Sequence, residues 1–152
     1  MHGDPKPMKI GALARAALTP VDTIRFYERE GLLAAAPRSE GNYRLYGTAD
    51  VQRLAFIRQC RNLDMSLDEV RTLLRVKDAP EQDCQAVNEL LDAHVRHVAE
   101  RLRELRELER ELKSLRARCA DVQRSSQACG ILQQLDESAQ RPSGRRYRGA
   151  HA

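Results

Sequence analysis

The chain has 152 residues, 26 Lys/Arg against 22 Asp/Glu, a net charge of +4 and 41% hydrophobic content, with no Trp and two Phe. That material suffices for one modest core, or a small domain with a helical appendage, built from Leu, Val, Ile and Ala. The 32% of charged residues suits long exposed helices better than a compact globule. No apolar run approaches the ~20 residues that span a bilayer, and the opening "MHGDPKP" lacks the apolar core of a secretory signal. A cytoplasmic protein with reduced thiols and no membrane partner is therefore expected, and its four cysteines favour metal or redox chemistry over a disulfide framework. Residues 9–61 carry nine Lys/Arg against five Asp/Glu, a mild excess that fits a nucleic-acid partner.

Residues 1–7 read as a disordered leader. A short helix follows, carrying Ile10, Leu13 and Ala14, then a turn at Ala17–Leu18. Thr19 is placed as the N-cap of a second helix, Pro20 as its tolerated first-turn proline and Gly31 as its end. Two short helices joined by a tight turn form a helix-turn-helix pattern. In "APRSEGNYRLYGTADV", Gly41 and Asn42 sit between β-compatible stretches and predict a small hairpin, a wing carrying Arg38, Tyr43 and Arg44. Thr48 is expected to cap a third helix whose buried face includes Val51, Leu54 and Ile57, with Cys60 as a small buried hydrophobe. Ser66 and Glu69 form a capping box opening a fourth helix, which stops before Pro80.

From Cys84 to about Arg118 there is no Pro or Gly, and Leu91, Val95, Val98, Leu102, Leu105, Leu108, Leu112 and Leu115 recur at spacings of 4 and 3. That is a narrow coiled-coil seam, which needs a partner. Leu91 with Leu112, Val95 with Leu108, and Val98 with Leu105 have position numbers summing to 203, so an antiparallel homodimer would pair them. Leu102 against Arg101 and Leu115 against Asn88 are mismatches. Cys84 and Cys119 sum to the same value. A continuous helix of that length spans roughly 50 Å, so the two cysteines cannot share a ligand within one chain. Across the dimer they can, and Cys129 joins them if the nine residues after Cys119 loop back into a short helix "GILQQL". Three thiolates at one place repel unless a soft divalent cation neutralises them. Without an obvious fourth ligand, Cd(II), Hg(II) or Pb(II) suits the site better than Zn(II). A disulfide between Cys119 and Cys129, making a thiol-redox switch, is the rival from another class. No Ser–His–Asp set, phosphate loop or paired acid cluster marks an enzyme.

The stretches "MKIGALARAALTPVDTIRFYEREGLL", "RSEGNYRLY" and "FIRQCRNLDMSLDEVRTLL" strongly resemble the MerR family of metal-responsive transcription regulators, over residues 8 to about 135. With "CGILQQL" they look most like its cadmium- and lead-responsive members. The resemblance implies a mainly α fold: a winged helix-turn-helix DNA-binding domain (8–78), a hinge and antiparallel coiled-coil dimerisation helix (79–118), and a metal-binding loop and short helix (119–135). A disordered basic tail (136–152) follows.

It further implies that the homodimer binds double-stranded promoter DNA whose spacer is too long for RNA polymerase. Metal binding then distorts that DNA until the elements align, a two-state protein acting through indirect readout. Cd(II) or Pb(II) would be the effector, with Hg(II), Zn(II) or a broad set of thiophilic ions as alternatives. By the same resemblance Cys84, Cys119 and Cys129 bind the metal. Thr19, Val21, Thr23, Arg25 and Tyr27 lie on the helix entering the major groove, and Arg38, Tyr43 and Arg44 grip phosphates. Glu69 from the other chain, with His94 and His97, would form a second, weaker metal site. The turn "RAALTPV" carries no cysteine, which leaves an ancillary thiol there unsupported. Cys84 argues against a copper sensor, two cysteines after the long helix argue against an iron–sulfur member, and the loop without extra ligands lowers zinc.

Overall fold

The structure is a computed structural model that describes residues 6–81, 84–119 and 129–141. Six helices run in order: α1 (Ile10–Ala16), α2 (Val21–Arg29), α3 (Thr48–Asn62), α4 (Leu67–Asp78), α5 (Gln85–Ala117) and α6 (Gly130–Ala139). They fall into two compact units, Met1–His94 and Val95–Ala152. Most of the expected leader, most of the Cys119–Cys129 loop and the tail from residue 142 lie outside the described residues.

In the first unit α1 packs on α2 and α3, and α3 packs on α4. Leu13, Ile24, Leu32, Leu33, Tyr46, Leu54, Ile57 and Val70 are completely enclosed, and Cys60 is buried beside them. Burying each such aliphatic side chain contributes about 1.5–3 kcal/mol. The α2 terminus closes as the sequence predicts. Gly31 takes a left-handed φ of 72°. Its N–H donates to the Glu28 carbonyl at 3.1 Å, and Leu32 N–H donates to the Tyr27 carbonyl at 2.9 Å. This is a Schellman stop, which Gly adopts without Cβ strain.

Two caps differ from expectation by one residue. Pro20, not Thr19, is the N-cap of α2, and the Thr19 hydroxyl donates to the Ala17 carbonyl at 3.0 Å, tightening the turn instead. Gly47, not Thr48, caps α3, because the Asp50 carboxylate accepts its N–H at 2.8 Å. The α4 capping box forms as read: Glu69 accepts Ser66 N–H at 3.1 Å and Ser66 Oγ accepts Glu69 N–H at 3.2 Å.

The wing is a hairpin held by isolated bridges; no longer strand forms among the described residues. Arg38 pairs with Arg44, and Met8 pairs with Tyr46, exchanging two backbone hydrogen bonds of 2.8 Å. Asn42 supplies the left-handed residue of its turn, φ 62°. The Met8 pairing docks the chain leading into α1 against the base of the wing.

Helix α5 runs unbroken for 33 residues and buries none of them within the chain. Its seam leucines and valines stand open, Leu91 at 39% and Val95 at 65% exposed. Helix α6 reaches Ala139, so residues 136–139 are helical rather than part of a disordered tail. "DESA" contains no Pro or Gly to stop the helix earlier.

Candidate functional site

An open cleft of about 1140 Å³ lies between α1, α2 and the wing. Lys9, Arg15, Arg25, Arg29, Arg38 and Arg44 line it, against one acid, Glu28. Six cations facing one hollow create a positive potential suited to a phosphate backbone. Arg25 stands exposed on α2 with Asp22 3.8 Å away, a pair screened by solvent and free to rearrange. Val21 and Thr23 are half-buried on the same helix, while Arg38, Tyr43 and Arg44 are exposed on the wing. Arg38 donates to the Asn42 side chain at 2.9 Å, and the Lys9 ammonium sits 4.1 Å above the Tyr43 ring.

Two residues expected at the DNA face turn inward. Thr19 is 7% exposed with its hydroxyl spent on Ala17, and Tyr27 is 8% exposed within the core. Tyr27 lies three residues after Ile24, on the buried stripe of α2, so packing claims its ring.

At the far end of the chain Cys129 occupies the N-cap of α6. Its thiol pKa is held below the ordinary range because the Leu132 and then the Ile131 amide N–H donate to the sulfur, with the Cys119 thiol adding a further hydrogen bond. Cys119 and Cys129 are therefore brought together, although nine residues separate them in the chain. The contact is tight. A Cβ on Gly130 would lie 2.7 Å from the Arg118 carbonyl oxygen. Free N–H groups at a helix start favour thiolate, the form that binds a soft metal. The donor pair thus fits a thiophilic ion. Cys84 is a free, exposed thiol in the first unit, and Cys119 and Cys129 are free thiols in the second.

Glu69 and His94 also meet, and they do so within one chain. His94 Nδ1 lies 3.0 Å from Glu69 Oε2, without the alignment of a hydrogen bond. The other ring nitrogen, Nε2, donates to the Leu63 carbonyl at 2.8 Å. This corrects the expectation that Glu69 reaches His94 only from a second chain: the α3–α4 turn lies against the start of α5, so a local contact forms first. His97 is exposed one turn further on. Among the described residues no group of three or more His, Cys, Asp or Glu side chains is gathered to hold a metal.

The profile of MerR HTH family regulatory proteins matches residues 8–77, and that of the MerR DNA-binding segment matches residues 51–115. A ZntR homolog of Haemophilus influenzae, an HTH-type transcriptional regulator, is 47% identical over 72% of this chain and 81% of its own length. The chain belongs to the MerR family. The mercuric resistance operon regulatory protein of Pseudomonas fluorescens is 34% identical to it, over 91% of this chain and 94% of that one. The crystal structure of PbrR691 from Ralstonia metallidurans CH34 in complex with lead(II) superposes with a TM-score of 0.77 at 54% identity, covering 84% of this chain and 98% of that chain. As a MerR-family member the chain is a DNA-binding transcriptional regulator.

On this MerR-family frame, Lys9, Arg15, Arg29, Glu28 and Gly130 are the residues that sequence reasoning missed. Arg15 and Arg29 flank the helix-turn-helix and were legible as charges without direction. Lys9 reaches the wing only through the Met8–Tyr46 bridge, a pairing between distant stretches that no local pattern reveals.

Proposed function

We propose that the chain is a cytoplasmic, metal-responsive activator and not an enzyme: a homodimer that sits on promoter DNA and switches when Cd(II) or Pb(II) binds. The dimer forms by antiparallel pairing of the α5 seams. Each effector site takes Cys119 and Cys129 from one chain and the partner subunit's Cys84. When bound, the metal supplies charge neutralisation that lets three thiolates share one place. Helix α5, continuous between Cys84 and Cys119, excludes a site closed within one chain and favours the crossed arrangement. RNA polymerase engages the promoter once the DNA has been distorted, an energetic bias on shape rather than a new base contact.

One observation carries this reading: Cys119 and Cys129 converge at the amide-rich start of α6. Thiols held in this way select soft ions. The similarity to the lead-bound PbrR691 supports Pb(II), and the ZntR and mercuric relatives place Zn(II) and Hg(II) as the alternatives to test. The test is a promoter reporter challenged with Cd, Pb, Hg, Zn and Cu salts, run with Cys84→Ser, Cys119→Ser and Cys129→Ser. Cd or Pb should give the strongest induction. Each variant should abolish induction while apo DNA binding persists. Normal Cd(II) response in any one of them overturns the three-sulfur assignment.

A further inference from the structure

The positive cleft contains an acid that simple electrostatics would remove. Glu28 lies on α2 three residues after Arg25, so both point to the cleft side of the same helix. Its side chain is only 5% exposed, against 40% for Arg44. One carboxylate oxygen accepts from the Arg44 guanidinium and the other from the Tyr46 hydroxyl. Burial pushes the Tyr46 phenol above its usual range, so it remains a donor at neutral pH. A buried carboxylate facing a polyanion is costly unless it is paired and performs a task.

The wing has two ends held differently. At its tip, Arg38–Asn42 and Lys9–Tyr43 are exposed contacts. At its base, Tyr46 is enclosed, backbone-paired to Met8, and joined to α2 through Glu28. The Glu28 carboxylate is the described side-chain link from the groove-entering helix to the wing.

We propose that Glu28 is a positioning residue for DNA recognition. By gripping Arg44 and Tyr46 together it sets the spacing between the helix that reads bases and the wing that holds phosphate, and so raises specificity at the expense of bulk attraction. The proposal rests on the DNA-binding reading of this cleft. It separates cleanly from a charge-only account. A charge-only Glu28 merely repels DNA, so neutralising it should tighten binding to every duplex. A positioning Glu28 keeps Arg44 ordered, so neutralising it should weaken only the duplex that needs the correct spacing, since ordering a free side chain adds to the cost of binding.

The experiment measures affinity of the full-length chain by fluorescence anisotropy across a salt series. The probes are a duplex selected by wild-type protein from a randomised pool and a scrambled duplex of the same length. Glu28→Gln should lose about five- to tenfold on the selected duplex. On the scrambled duplex it should lose nothing and show a salt slope steeper by about one. Glu28→Gln added to Arg44→Ala should lower the selected-to-scrambled ratio no further than Arg44→Ala alone. Tyr46→Phe, which removes one of the two donors and keeps the ring, should lower the ratio two- to threefold, and it decides the matter if Glu28→Gln does not fold. The proposal is overturned if Glu28→Gln changes both affinities by the same factor, if its effect adds fully to that of Arg44→Ala, or if Tyr46→Phe leaves the ratio intact. A wild-type chain that selects no duplex overturns the DNA reading itself.

Discussion

Gly130→Ala is a one-methyl perturbation aimed at the metal centre. The added Cβ would lie 2.7 Å from the Arg118 carbonyl oxygen and 3.5 Å from the carbon that bears it, whereas ordinary contact begins at 3.4 Å. The backbone must therefore give by about 0.7 Å, and the obstructing atom is main chain, unable to swing aside. Arg118 directly precedes Cys119 and Gly130 directly follows Cys129. The displacement therefore passes into the gap between the two thiols. A second effect opposes it: alanine favours helix over glycine by up to ~1 kcal/mol, so α6 itself should persist. Ligand constellations tolerate only about 0.5 Å of misplacement. A loss of about 10- to 100-fold in Cd(II) affinity follows, the range seen when metal ligands lose their supporting contacts. The assay is competition with a chromophoric chelator, alongside the thiolate-to-Cd(II) absorbance and apo DNA binding. Wild-type Cd(II) affinity in Gly130→Ala would refute the claim that the close approach of α6 to Arg118 builds the site.

Arg44→Ala should weaken binding to any duplex and reduce the salt slope by up to ~0.9, and an unchanged slope would remove Arg44 from the phosphate contacts. Thiol alkylation of the metal-free protein should separate two cysteines by pH. Amide donation lowers the Cys129 pKa, so its rate should level off below the ordinary thiol value near 8.5, whereas burial raises that of Cys60, which should still be climbing there; one shared midpoint in peptide-resolved mass spectrometry would contradict both assignments. Leu105→Glu places a carboxylate near the symmetry centre of the α5 seam, where the side chain now stands 49% exposed. Sedimentation should show monomer at concentrations where wild type is dimeric, and an unshifted dimer would mean that the seam is not the interface.

What the sequence made legible is what depends on neighbours within a few residues. The Ser66–Glu69 capping box, the Gly31 stop and the seam of α5 are local or periodic, and each could be read from spacing alone. The misplaced items depend on competition between partners. Thr19 and Thr48 are good caps by type. In the folded chain Thr19 donates to the Ala17 carbonyl, and Asp50 holds Gly47 before Thr48 can cap. Tyr27 was read as a surface phenol in a positive region, but its spacing from Ile24 commits it to the core. Glu28, Lys9 and Gly130 gain their meaning only from distant chain: Arg44 and Tyr46, Tyr43, and Arg118 respectively. No one-dimensional pattern carries those meetings.

The same distinction ranks the two candidate metal centres. At α6 the thiols face donors: amide N–H groups that favour thiolate and leave the sulfur ready for a cation. At the α4–α5 contact the groups are already employed. Glu69 Oε1 caps α4 through Ser66 N–H, and His94 Nε2–H is bound to the Leu63 carbonyl, so only Glu69 Oε2 and His94 Nδ1 remain to face each other across 3.0 Å. Two donors hold a divalent ion poorly unless others arrive, and His97 is exposed a turn away. Any ion there would pull on a helix cap and on the hydrogen bond that ties α5 to the α3–α4 turn. The cysteine pair needs only an added sulfur, whereas the histidine site must disturb contacts of the DNA-binding unit to form. Occupancy should therefore follow the thiols first.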